Sequence, residues 1–142
     1  DGQMAQSQQE RLFTTLRDAV RAIFPNVQAI YVYGSFARGE QWPDSDIDLA
    51  ILPDAGTPSW NRLEIGADLA ARLQREVDLV DLRTASEVLR REVLESGQLL
   101  YAVDPQALLE WEAGALTRYG HYREEVRDLL ADFDEDGIGY AP

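Results

Sequence analysis

The chain has no cysteine and no lysine, and only one histidine and one methionine. Without thiols, disulfides and thiolate metal sites are excluded, which suits a cytosolic setting. Without lysine there is neither a Walker-type phosphate lysine nor a Schiff base. All 13 basic residues are therefore arginine, and they face 26 acidic ones, for a net charge of −13 and a pI near 4.3. That balance argues against direct nucleic-acid binding, since a phosphate backbone demands a basic footprint. The acid surplus suits solubility first, and steering toward a basic protein partner second. No apolar run approaches bilayer length and no secretory pattern appears, so the expectation is a cytoplasmic protein without a membrane partner.

The 142 residues, 45% apolar and 27% charged, are the size of one globular domain. Asp1-Gly2-Gln3 ahead of Met4 reads as an expression scar, residues 4–133 as the domain, and 134–142 as a flexible acidic tail. Leu12, Leu16, Ala19, Val20 and Ile23 recur at helical spacing from about Gln8 to Phe24, and Pro25-Asn26 ends that helix. Ala29 to Tyr33 is a β-favouring run stopped by Gly34. Ser35 to Glu40 reads as a short helix, Gln41 to Ser45 as a loop, and Asp46 to Leu52 as a second strand. Thr57-Pro58 looks like a cap and first turn for a helix to about Arg75, with Trp60, Leu63, Ala67, Ala70 and Leu73 on one face. Val77 to Leu82 is a third strand. Thr84-x-x-Glu87 forms a capping box for a helix ending at Gly97, and Gln98 to Val103 is a short fourth strand. Asp104-Pro105 opens a long helix reaching about Phe133. The fold class is thus α/β (α+β), a small mixed sheet flanked by helices.

The chemistry concentrates between Gly34 and Asp48. Side chains alternate along a strand, so Asp46 and Asp48 share a face while Ile47 and Leu49 point to the core. Two such carboxylates repel unless a cation sits between them, and all-oxygen ligation suits Mg²⁺ completed by substrate phosphates. A third carboxylate from a neighbouring strand would complete a two-metal site. Asp78 and Asp81 both offer it, but being three apart they face opposite sides. Asp78 is preferred because it comes earlier, where the strand should lie near the other carboxylates; Asp81 stays the alternative. Gly34 lets the backbone approach a ligand, the following helix start favours an anion, Ser35 adds a hydroxyl donor, and Arg38 can fork onto phosphate oxygens.

Gly34-Ser35, then ten residues containing Ala37-Arg38-Gly39, then Asp46-Ile47-Asp48, resembles the signature of the DNA polymerase β-type nucleotidyltransferases. The length and the run Ser45-Asp46-Ile47-Asp48-Leu49 resemble the minimal nucleotidyltransferases, and among these the antitoxins of HEPN–MNT toxin–antitoxin pairs. The resemblance covers roughly Leu12 to Val103. It implies ATP and two Mg²⁺ ions in a cleft, with Gly34 and Ser35 on the triphosphate and Asp46, Asp48 and Asp78 on the metal. It also implies transfer of AMP to a tyrosine of a HEPN toxin held as a hetero-oligomer. Two other readings stand beside it: nucleotidyl transfer to a small molecule such as an aminoglycoside, and a non-catalytic antitoxin acting by occlusion. His121 faintly resembles part of a HEPN motif, with the wrong spacing. Tyr119, Tyr122, Val126, Leu129, Leu130 and Phe133 form a stripe suited to the domain's own core or to a partner. Trp42 could stack on a base or fill a packing gap.

Overall fold

A computed structural model gives the fold of residues 2–34 and 46–116, with side chains described for 8–34 and 46–115. In chain order the elements are α1 (Gly2–Ile23), β1 (Ala29–Tyr33), β2 (Ile47–Leu52), α2 (Arg62–Leu73), β3 (Val77–Asp81), α3 (Glu87–Ser96), β4 (Gln98–Ala102) and α4 (Pro105–Leu116). The strands form one mixed sheet in the order β3-β2-β1-β4. β1 is antiparallel to both β2 and β4, while β2 and β3 run parallel. A parallel pair needs a crossover connection, and α2 supplies it. No helix among the described residues is long and apolar enough to cross a membrane.

Period-two alternation divides the core. On one face Ile30, Val32, Ile47, Leu49, Ile51 and Leu79 pack under α1, through Leu16 and Val20, and under α2, through Leu69. On the other, Tyr31, Tyr33, Ala50 and Val80 meet Val93 of α3 and Leu108 of α4. Because both faces are covered, all five residues of β1 are buried.

Three local expectations change. α1 begins at Gly2 rather than near Gln8. α2 begins not at Pro58 but at Arg62, because Asn61 in extended backbone accepts from the N–H groups of Leu63 and Glu64. An asparagine carbonyl there satisfies two orphan donors. This shifts the buried face to Gly66 and Leu69, with Ile65 and Leu73 partly packed, and leaves Leu63 84% exposed. α3 is capped by Ser86, whose hydroxyl accepts from the Leu89 N–H, while the N–H of Thr84 closes a turn onto the Asp81 carbonyl. Gly97 ends α3 as expected, its N–H bonded to the Val93 carbonyl. α4 is described only to Leu116; the expected helix over Ser35 to Glu40, the loop with Trp42, the tyrosine stripe, His121 and the acidic tail lie outside the described residues.

One buried polar pair ties α4 to the sheet: the Tyr31 hydroxyl donates to Glu112 Oε1. Burial pushes the Glu112 carboxyl up to about 6, partly offset by the Tyr31 hydrogen bond. Burial and then the nearby Glu112 charge raise the Tyr31 phenol well above its ordinary value.

Leu69→Ala should destabilise by roughly 2–5 kcal/mol, whereas Leu63→Ala should stay within about 0.5 kcal/mol; urea unfolding midpoints check the contrast. Glu112 adds a pH dependence of known sign. Between its ordinary value of 4.5 and about 6 the folded chain keeps a proton that the unfolded chain has lost. Stability from this group is therefore full below that window and declines as pH rises through it. Glu112→Gln should remove this component, seen as the wild type-minus-variant difference in unfolding free energy across the window.

Candidate active site

The site is built at the ends of three adjacent strands. β1 stops at Gly34, whose φ of 71° lies in the left-handed region. The pairing of β1 with β2 sets Tyr33 opposite Asp48, and the parallel pairing of β2 with β3 sets Asp48 opposite Asp78. Neighbouring residues in register share a sheet face, so Tyr33, Asp48 and Asp78 form a row across three strands. Ile47 and Leu49 point the other way and are fully buried. Asp46 immediately precedes β2 and is exposed.

Glycine at position 34 has two causes. A positive φ is unfavourable for any residue with a Cβ. A Cβ there would also stand 2.5 Å from Asp48 Oδ2, too close to coexist with the carboxylate. The missing side chain is the space the carboxylate occupies. Tyr33 reports the resulting field: burial, then the charges of Asp48 and Asp78, push its phenol up to about 12, against a lowering by Arg62.

Asp81 has a different environment. Opposite Ile51 in β3, it accepts from the Trp60 indole N–H (3.2 Å) and from the backbone N–H of Arg83 (2.8 Å). The Arg83 guanidinium also bonds its carboxylate (2.8 Å) and reaches the carbonyls of Asp54 (3.2 Å) and Thr57 (2.8 Å). Asp81 thereby ties the loop before α2 to the end of β3. Trp60, expected on the helix face, instead meets Phe24 edge-on at 5.3 Å. Ser35 and Arg38 lie outside the described residues.

Sequence reasoning missed Arg62. It is the first residue of α2, and it donates to Asp78 Oδ1 from Nε (3.0 Å) and Nη2 (2.5 Å). The signal was Asn61-x-x-Glu64, a cap pattern overshadowed by Thr57-Pro58. Arg62 also lines a cavity of about 420 Å³ with Trp60, Val80, Asp81 and Leu89.

Among the described residues no three Asp, Glu or His side chains are gathered closely enough to hold an ion by themselves. Two neighbouring carboxylates, with a third two residues away, fit a hard cation that draws its remaining ligands from phosphates and water.

Residues 19–106 match the family model described as polymerase beta, nucleotidyltransferase. The chain belongs to this nucleotidyltransferase family, as the Gly-Ser and Asp-x-Asp pattern led us to expect. Within that class it is 33% identical over 129 residues to the protein adenylyltransferase MntA of Shewanella oneidensis, covering 91% of this chain and 89% of that protein. A crystal structure of a toxin–antitoxin with AMP-PNP superposes with a TM-score of 0.67 at 32% identity, over 84% of this chain and 96% of the other. A complex of the tri-AMPylated Shewanella oneidensis HEPN toxin with MNT antitoxin gives 0.66 at 30% identity, over 87% and 97%. The mixed sheet with flanking helices agrees with the expected fold class.

Gly34→Ala should displace the Asp48 carboxylate and strain the turn by about 1–2 kcal/mol. The expected result is a lowered melting temperature together with weakened binding of ATP, read by calorimetry; unchanged ATP affinity would show that the turn and the carboxylate act independently.

Proposed function

We propose that this chain is the antitoxin of a toxin–antitoxin pair, transferring AMP from ATP to a tyrosine hydroxyl of a HEPN-type toxin held with it as a cytoplasmic hetero-oligomer. The observation that carries the reading is the row of Asp48 and Asp78 on adjacent strands, with the Asp48 carboxylate filling the space left by Gly34. The likeness to an adenylyltransferase and to complexes of such antitoxins with toxin and with an ATP analogue supports acceptor and donor.

In this reading Gly34, Ser35 and Arg38 hold the triphosphate, and Asp46, Asp48 and Asp78 hold magnesium, as two ions. Bound there, magnesium would polarise the α-phosphate and neutralise charge developing on the departing pyrophosphate. The tyrosine oxygen forms a new bond to the α-phosphorus as the bond to pyrophosphate breaks, and Asp78 accepts the hydroxyl proton. Orientation is the chain's main contribution, since the acceptor and the triphosphate must lie in line. The rigid sheet provides it: Asp48 and Asp78 sit on buried, hydrogen-bonded strands rather than on loops.

Incubation with labelled ATP, Mg²⁺ and the product of the adjacent gene should label that protein on tyrosine. Asp46→Asn and Asp48→Asn should each slow labelling by at least about a hundredfold, the scale of removing one preorganised electrostatic group, and EDTA should abolish it. Equal transfer by these variants would refute the catalytic assignment. Full protection from the toxin by an Asp46/Asp48 double variant would instead favour occlusion.

A further inference from the structure

Asp78 is bound by a cation of the chain itself. Two N–H groups of Arg62 converge on one oxygen, Oδ1, at 3.0 and 2.5 Å. The Asn61 cap fixes where α2 starts, and so holds Arg62 over the sheet at that carboxylate. Arg62 belongs to the same electrostatic cluster as the row of strand residues, acting on Tyr33 in the sense opposite to Asp48 and Asp78.

Adjacent carboxylates disfavour each other's ionisation unless positive charge is close. Arginine supplies a charge that does not titrate and a planar fork that fits a carboxylate. A divalent ion bound through Asp78 Oδ1 would compete with both of these N–H donors. The two side chains are about half exposed, 55% and 47%. An ion pair so exposed is weak enough to exchange. The cavity beside it, lined in part by Arg62, gives the displaced guanidinium room to move.

We propose that Arg62 is a built-in counter-ion that occupies Asp78 in the metal-free protein and yields it when the divalent cation arrives. The role is that of a positioning residue, and it rests on the reading of Asp78 as a metal ligand. Arg62 holds the carboxylate row together before the cation binds, and by competing it weakens cation affinity.

The test is titration with Mn²⁺, standing in for Mg²⁺, at low salt, with free ion read by electron paramagnetic resonance. Wild type, Arg62→Gln, Arg62→Lys and Asp78→Asn are compared, together with melting temperatures in EDTA and in Mn²⁺. Arg62→Gln should bind Mn²⁺ about 1.5- to fivefold more tightly, the range open to one exposed ion pair. It should melt lower than wild type in EDTA and gain more from Mn²⁺. Arg62→Lys, keeping the charge without the fork, should fall between the two. Affinity of Arg62→Gln equal to or weaker than wild type would overturn the counter-ion role while leaving Asp78 as a ligand. Equal affinity of wild type and Asp78→Asn would overturn the assignment of Asp78, and the role of Arg62 with it.

Discussion

Hydrophobic burial on one face of the sheet governs the arrangement of charge on the other. Ile47, Leu49 and Ile51 are fully buried beneath α1 and α2. A slip of β2 by one residue would turn all three away from α1 and α2 and drive Asp48 into that apolar layer. The register is therefore held by several buried side chains at once, and it sets Asp48 between Tyr33 and Asp78. In the proposed chemistry, orientation of the reacting groups is inherited from packing.

Around that row, the backbone and the arginines accommodate negative charge in different ways. Gly34 removes a side chain so that the Asp48 carboxylate can lie against the turn. Arg62 neutralises Asp78 from the first turn of α2. Arg83 performs a similar service for Asp81, but there the ion pair is part of a knot that also gathers the carbonyls of Asp54 and Thr57. The two aspartates of β3 thus have separate duties although they lie three residues apart. In a chain without lysine, both counter-ions are arginines, whose planar fork can hold several acceptors.

α2 joins the layers. It covers the apolar face through Leu69 and approaches β3 so closely at Gly66 that a Cβ would lie 3.2 Å from the Val77 carbonyl. Its first turn carries Arg62 to the opposite, polar business of the site. The Asn61 cap decides where that turn begins.

Alternation in Ile47 to Leu52 and in Val77 to Leu82 made the strands, their buried faces and the opposed directions of Asp78 and Asp81 readable from the residues alone, because a strand's period is local geometry. The Gly-Ser turn and Asp-x-Asp pair made the family readable. The start of α2 was not: Thr57-Pro58 and Asn61 both offer acceptable caps, and the choice falls to Asn61 because Trp60 is drawn to Phe24 and Asp81 while the Thr57 carbonyl is taken by Arg83. The same choice exposes Leu63 and brings Arg62 to Asp78. Sequence by itself determined the four strands and the apolar faces of β2 and β3. Tertiary structure decided which strands became neighbours, which carboxylates aligned and which arginine met them, because those depend on contacts between segments whose separation along the chain carries no local signal.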